Sequence, residues 1–263
     1  MSEPNPTNID QSFKKEVRKL KLQTFLGWLT VIPLGWAINF IFRFKMKYKI
    51  RNLKEIRKTY QQLTDTNQPV MICPNHLTMA DSNIQIWAFG KMPWYFLHYK
   101  RLSWNVPAVE NFKSTWTRSI ITYLGKCIPV DREGTKEHHD MVLNKTIYLM
   151  KQGHVFTYFP EGGRSRKARI DMDNIRYGVG KLLADIPNAK VICVYMRGDA
   201  QEGHSEVPAK GDTLTIKLKE VNPTSKSSGL RAHRDISQQI MQSLKEMEDE
   251  YFSEKNSNKT GNR

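Results

Sequence analysis

From residue 69 onward the chain alternates short apolar runs with segments of helical spacing, and this alternation restricts its fold more than any other feature. "PVMIC" (69–73) and "KVICVYM" (190–196) read as buried strands. "WYFLH" (94–98), "KCIPV" (126–130) and "HVFTYF" (154–159) are strand-like, and "TLTIKLKE" (213–220) alternates as a half-exposed strand does. Helical patterns separate them: 81–89, 115–124 with Gly125 as its stop, a helix from the cap Thr135 to Gln152, and one from Asp173 through Asp185. A last helix over 231–252 carries Ile236, Ile240, Leu244, Met247 and Tyr251 on one stripe. Strands and helices at this pace predict an α/β domain over 61–252, with a central, largely parallel sheet flanked by helices. The polar ends, 1–12 and 253–263, read as a disordered start and tail.

Residues 1–60 form a second region. "TFLGWLTVIPLGWAINFIF" (24–42) holds no charge across nineteen positions, long enough to cross a bilayer. Gly27, Pro33 and Gly35 argue against one straight helix. Both flanks are basic, with Lys14, Lys15, Arg18, Lys19 and Lys21 before and Arg43, Lys45, Lys47, Lys49 and Arg51 after. A simple span would leave one basic cluster on the wrong side. A kinked segment dipping into one leaflet satisfies both, with Trp28 and Trp36 near the headgroups. Spanning, dipping and burial as a core helix all remain open at this level. The formal net charge of +15 favours polyanionic partners: an anionic membrane, a phosphorylated ligand or nucleic acid. The basic run "RSRKAR" (164–169) lacks interleaved aromatics, which argues against a nucleic-acid platform. Cys73, Cys127 and Cys193 are widely spaced in apolar contexts and read as buried thiols of a reducing compartment.

In a parallel sheet, ligands bind where loops leave the carboxyl ends of strands. Three loops qualify: "PNHLTMAD" (74–81), "VDREG" (130–134) and "PEGGRSR" (160–166). In the first, His76 and Asp81 form a candidate dyad, the imidazole moving a proton and the carboxylate fixing its tautomer. No serine sits in a G-x-S-x-G elbow, so the nucleophile would come from the substrate. A metal lacks ligands at a helpful spacing, and the adjacent His138 and His139 suit a solvated helix. Gly162 and Gly163 let backbone approach a ligand. Arg164, Arg166 and Arg132 offer guanidinium forks for phosphate. Glu161 would accept from a polyol hydroxyl or hold an arginine.

Together these pieces resemble the glycerolipid (lysophospholipid) acyltransferases. The Asn-His-x4-Asp motif reads Asn75-His76-Leu77-Thr78-Met79-Ala80-Asp81, with Thr in a Ser place. The phosphate-site segment runs from Gly125 to Arg132. Phe-Pro-Glu-Gly-Thr-Arg-Ser reads Phe159 to Ser165 with Gly163 for Thr, and "VICVYM" has Cys193 where Pro is usual. The likeness covers about 69 to 196. It implies an O-acyltransferase carrying a fatty acyl group from acyl-CoA or acyl-carrier protein to a lysophospholipid, foremost 1-acylglycerol 3-phosphate. It further implies His76 and Asp81 as catalytic, with Arg132, Glu161, Gly162 and Arg164 binding substrate. Neither metal nor cofactor is implied beyond the acyl donor. The implied partners are the donor, the lysolipid and an anionic membrane surface, with no nucleic acid. The implied place is the inner membrane, with the catalytic domain on its cytoplasmic side. A lyso-aminolipid acceptor and a non-catalytic lipid-binding protein are the alternatives.

Overall fold

The computed structural model of the protein describes residues 6–112 and 115–260. Its sheet has the order β1-β6-β5-β2-β4-β3. The strands are β1 (Lys49–Ile50), β2 (Val70–Pro74), β3 (Trp104–Asn105), β4 (Phe156–Thr157), β5 (Lys190–Gly198) and β6 (Thr213–Val221). All neighbouring pairs are parallel except β5 with β6. The expected α/β class with a largely parallel sheet is therefore the observed one.

Strand β2 is buried along its whole length, as an unalternating apolar run requires when both faces are covered. Met71 and Cys73 face one layer, packed with Leu149 and Met150 of α7 (Lys136–Lys151), Val179 of α8 (Gly178–Ala184) and Ile240 and Leu244 of α9 (Gly229–Thr260). Val70 and Ile72 face the other, with Ile56 and Tyr60 of α2 (Leu53–Thr64) and Ile84 and Ala88 of α3 (Asp81–Phe89). The first helix, α1 (Pro6–Phe40), passes through a π-helical turn (Ile41–Lys45) and joins both layers: Leu20 belongs to the first core, Phe42 to the second. Val31 lies between them, in a small cluster with Met92 and Tyr95 of α4 (Met92–Leu97). The short α5 (Val109–Phe112) and α6 (Trp116–Leu124) complete the set.

Several expectations are corrected. The segment 94–98 is not a strand but most of α4, started by Pro93 in its first turn, where a fixed φ suits a helix and no N–H is needed. "KCIPV" reaches only isolated bridges, Asn105 to Cys127 and Ala108 to Val130; Lys126 takes positive φ and Pro129 has no N–H to donate. The helix expected from Asp173 begins at Gly178, because the Asp171 carboxylate accepts from Asp173 N and Asn174 Nδ2 and winds that stretch into turns. Residues 6–12, expected to be disordered, lie in α1, and 253–260 lie in α9; residues 1–5 and 261–263 are outside the described residues.

The packing of α8 on α9 has no slack. A Cβ built on Gly180 would overlap the His233 carbonyl oxygen, and Gly180 N donates to Ser237 Oγ at 3.1 Å. Gly180→Ala should therefore lower stability by about 1–3 kcal/mol, as overpacking does. A urea midpoint equal to that of the unaltered protein would show that the two helices separate freely.

Candidate functional site

Asn75, one residue beyond β2, is buried and reaches sideways to β5: Asn75 Nδ2 donates to Met196 O (3.0 Å) and Asn75 Oδ1 accepts from Met196 N (2.7 Å). The chain then turns away from the sheet and presents His76. The His76 backbone is held on both sides by the 159–166 loop. Its N–H donates to Glu161 Oε1 (2.8 Å) and its carbonyl accepts from Ser165 N (2.9 Å). Its ring packs on Phe159, with centroids 4.1 Å apart. The first and third motifs thus meet directly, although 85 positions separate His76 from Glu161.

Asp81 opens α3 and is buried. Its Oδ2 lies 3.0 Å from His76 Nδ1 and also accepts from Leu77 N (2.7 Å) and Thr78 N (2.9 Å). Its Oδ1 accepts from Thr78 Oγ1 (2.6 Å). A carboxylate ringed by donors serves only as an acceptor, so it sets the His76 tautomer: the proton sits on Nδ1, and Nε2 keeps its lone pair. Thr78, in the place usual for Ser, supplies the hydroxyl bond that a Ser would.

His76 lines a cavity of about 480 Å³. Its walls are mostly apolar, with Val106, Pro107, Val142, Leu143 and Leu182 among them, while Arg132, His139 and Lys181 bring polarity. Arg132 Nη2 donates to Gly162 O at 2.9 Å, which joins the 130–134 loop to the 159–166 loop. Gly162 has φ +67, and a side chain there would press on Arg176, so glycine is required. A Cβ on Gly163 would meet nothing, so the place where Thr is usual is open space. All three loops singled out from the sequence therefore converge.

Arg164 stands apart. It is not among the cavity's lining residues and pairs with Glu206 at 3.4 Å. In its stead the cavity has Lys181, on α8, which sequence reasoning passed over because it lies outside every motif. The histidines of α7 are not simply solvated: His138 Nε2 accepts from Asp131 N (3.0 Å), and His139 Nε2 lies 2.7 Å from Asp131 O. Ser82 also lines the cavity, but its hydroxyl donates to Asn105 Oδ1 (3.2 Å). Among the described residues, no three His, Cys, Asp or Glu side chains gather as a metal site. Desolvation raises the Cys127 and Cys193 thiols to about 12, and Cys73 and Cys193 are buried while Cys127 is partly exposed.

Burial raises the Glu161 carboxyl to about 8; the His76 N–H opposes the shift, while the charges of Glu248, Asp81 and Asp171 add to it. At neutral pH this carboxyl is largely protonated, so it holds the His76 loop without placing a second full negative charge beside Asp81.

A sequence profile of the family described as Acyltransferase matches residues 47–197, more than half of the chain. No curated protein matches it. Among solved structures, the chain is similar to the crystal structure of the 1-acyl-sn-glycerophosphate (LPA) acyltransferase PlsC from Thermotoga maritima. Identity is 16%, the likeness covers 90% of this chain and 98% of that one, and the TM-score is 0.47.

The raised Glu161 carboxyl has a consequence for stability. Between pH 4.5 and about 8 the native state holds a proton that the unfolded chain releases, so this group's contribution is full below that window and is lost as pH rises through it. Glu161→Gln keeps an oxygen for the His76 N–H and should flatten that decline. Urea midpoints measured across the window that fall in parallel for both proteins would refute this assignment.

Proposed function

Since the chain belongs to the acyltransferase family, we propose that it moves a fatty acyl group from the thioester of acyl-CoA or acyl-carrier protein to a lysophospholipid hydroxyl, with 1-acylglycerol 3-phosphate as the foremost acceptor. The observation that carries this reading is the His76–Asp81 pair, bonded at 3.0 Å at the wall of a largely apolar cavity. Among the described residues, no serine hydroxyl or cysteine thiol is hydrogen-bonded to the His76 ring. That supports direct transfer to the substrate's own oxygen.

The acceptor hydroxyl gives its proton to His76 Nε2, and its oxygen attacks the thioester carbon. Asp81 stabilises the imidazolium formed. When the tetrahedral intermediate collapses, the C–S bond breaks and the new C–O ester bond remains. The departing sulfur takes the proton back from His76. The apolar walls suit the acyl chain, which gains by leaving water. Arg132 and Lys181 suit an acceptor phosphate. Glu161 acts by holding His76, and Gly162 by offering its carbonyl to Arg132. The uncharged segment 24–42, most of it in α1 and flanked by basic residues on both sides, suits attachment to the cytoplasmic leaflet of the inner membrane, where lysolipid arrives.

The test is thiol release from acyl-CoA or acyl-carrier protein by the full chain in detergent, with a panel of lysolipids. His76→Ala should abolish lysolipid-dependent release, by a factor of at least about 100, with an unchanged urea midpoint. Full activity in that variant would remove the dyad from the mechanism. Arg132→Ala and Lys181→Ala should raise the KM for a phosphate-bearing acceptor more than they lower kcat. Arg164→Ala should affect it least. The reverse order would move the phosphate to the Glu206 side of the loop.

A further inference from the structure

Attack on a thioester carbon drives an electron pair onto the carbonyl oxygen, and the His76–Asp81 pair serves the proton, not that charge. A largely apolar cavity must therefore hold hydrogen-bond donors where the oxyanion forms. Two side chains of the wall fit. Asn105 ends β3 and Thr157 ends β4. The two are direct partners in the parallel ladder, so their side chains leave the same face of the sheet. Both line the His76 cavity. Asn105 is 7% exposed and Thr157 2%.

Their donors are free and their positions are fixed. Ser82 Oγ donates to Asn105 Oδ1 (3.2 Å), and among the described residues no hydrogen bond occupies Asn105 Nδ2. Main-chain bonds hold Asn105 on both sides: its N donates to Lys126 O and its O accepts from Ile128 N, each at 2.9 Å. Thr157 Oγ1 is buried and has no hydrogen-bond partner among the described residues. An orphaned buried hydroxyl is costly and rare, and a catalytic role is one reason for it to persist. Two other polar residues of the wall already donate elsewhere: Thr146 Oγ1 to Val142 O (2.9 Å) and His139 Nε2 to Asp131 O (2.7 Å). The free donors also belong to the surroundings of His76. Phe159, whose ring packs on His76, lies two positions after Thr157. Ser82, which holds Asn105, follows Asp81, the carboxylate bonded to His76. The residues therefore form a closed circuit: His76 to Asp81, Ser82 to Asn105, Thr157 to Phe159 and back to His76.

We infer that Asn105 Nδ2 and Thr157 Oγ1 are the oxyanion donors of this site, and so further catalytic residues; the assignment rests on the acyl-transfer reading. As the acceptor oxygen bonds to the thioester carbon, the carbonyl π pair moves to oxygen, and the Asn105 N–H and Thr157 O–H take up its charge. On collapse the pair returns to the carbon–oxygen bond, the C–S bond breaks, and the sulfur leaves with the proton from His76. Neither donor lies in the three loops that carry His76, Arg132 and Glu161, and only the register of β3 on β4 puts them side by side.

Two readouts on the full chain in detergent test it. The first is thiol release from acyl-CoA with the lysolipid that supports the fastest release. Asn105→Ala should lower kcat by about 10²–10³ and Thr157→Val by at least about tenfold, each changing the KM for acyl-CoA less than about threefold. Thr157→Val removes only the orphaned hydroxyl, so its urea midpoint should equal or exceed that of the unaltered protein. It carries the test if Asn105→Ala fails to fold. Thr157→Ser, which restores a hydroxyl, should recover most of the loss. An unaltered kcat in Thr157→Val, or a Thr157→Ser protein as slow as Thr157→Val, overturns the assignment. The second readout needs no turnover. Acyl-CoA labelled with carbon-13 at its thioester carbonyl is bound to the His76→Ala protein, and its infrared carbonyl band is recorded. Hydrogen-bond donors lower that band relative to free acyl-CoA, and adding Thr157→Val should move it back up. A band indifferent to Thr157 overturns the assignment, whatever the activity of the unaltered chain. No thiol release from the unaltered chain with any lysolipid, beside a band that responds to Thr157, would refute the acyl-transfer reading and leave the thioester-polarising donors standing.

Discussion

Between Val70 and Pro74 every residue is buried, and each one pairs in register with β5, Met71 beside Val191 and Cys73 beside Cys193. That parallel pairing between segments more than a hundred residues apart is the constraint on which the rest depends. Asn75 extends it by one residue, with its side chain bonded to both main-chain groups of Met196. The point where the chain leaves the sheet is thereby fixed in three dimensions, and the next residue is His76. A strand end defined by backbone and amide bonds places an imidazole more firmly than a free loop would.

Around that point, bonds to charge-bearing groups are arranged so that only one full negative charge is required. Asp81 is surrounded by donors, whereas Glu161, desolvated and accepting from the His76 N–H, is shifted upward and keeps its proton at neutral pH. Buried charge without a partner is costly, and the same rule explains Lys126 far from the site. That residue is fully buried, donates to Tyr99 O (3.1 Å) and to Leu102 O, and burial pushes its amine well below the usual range. His154 beside it is lowered to about 2 by burial and by Lys126, so the pair is not doubly charged.

Helix α1 obeys a different solvent rule. A helix meant for water turns its apolar stripe inward; this one turns glycine, valine and a bonded glutamine inward and aromatics outward. It also bridges the two core layers, through Leu20 and Phe42, so its outward aromatic face and the scaffold that carries His76 form one body. The proposed chemistry and the proposed membrane attachment of α1 thus share one frame.

Much of this was readable without a structure. The strand at 70–74, the Thr135 cap, the helix of 81–89 and the five-residue spacing of His76 and Asp81 all follow from neighbours close in the chain, where a turn's geometry decides who meets whom. Other assignments failed for the same reason in reverse. "WYFLH" is apolar enough for either a strand or a helix, and Pro93 with the neighbouring helices decided for the helix. Arg164 and Lys181 are both basic residues near the sheet's rim, and only the path of the loops puts one against Glu206 and the other on the cavity wall. Glu161 was legible as a motif residue but not as the acceptor for the His76 N–H, a bond across 85 positions. The sequence by itself determined the fold class, the short spacing that lets His76 meet Asp81 and an uncharged N-terminal segment between basic flanks, because periodicity and short spacing are local properties. The tertiary structure alone decided which cations share the cavity and which face of α1 looks outward, because side-chain direction there depends on contacts between segments far apart in the chain.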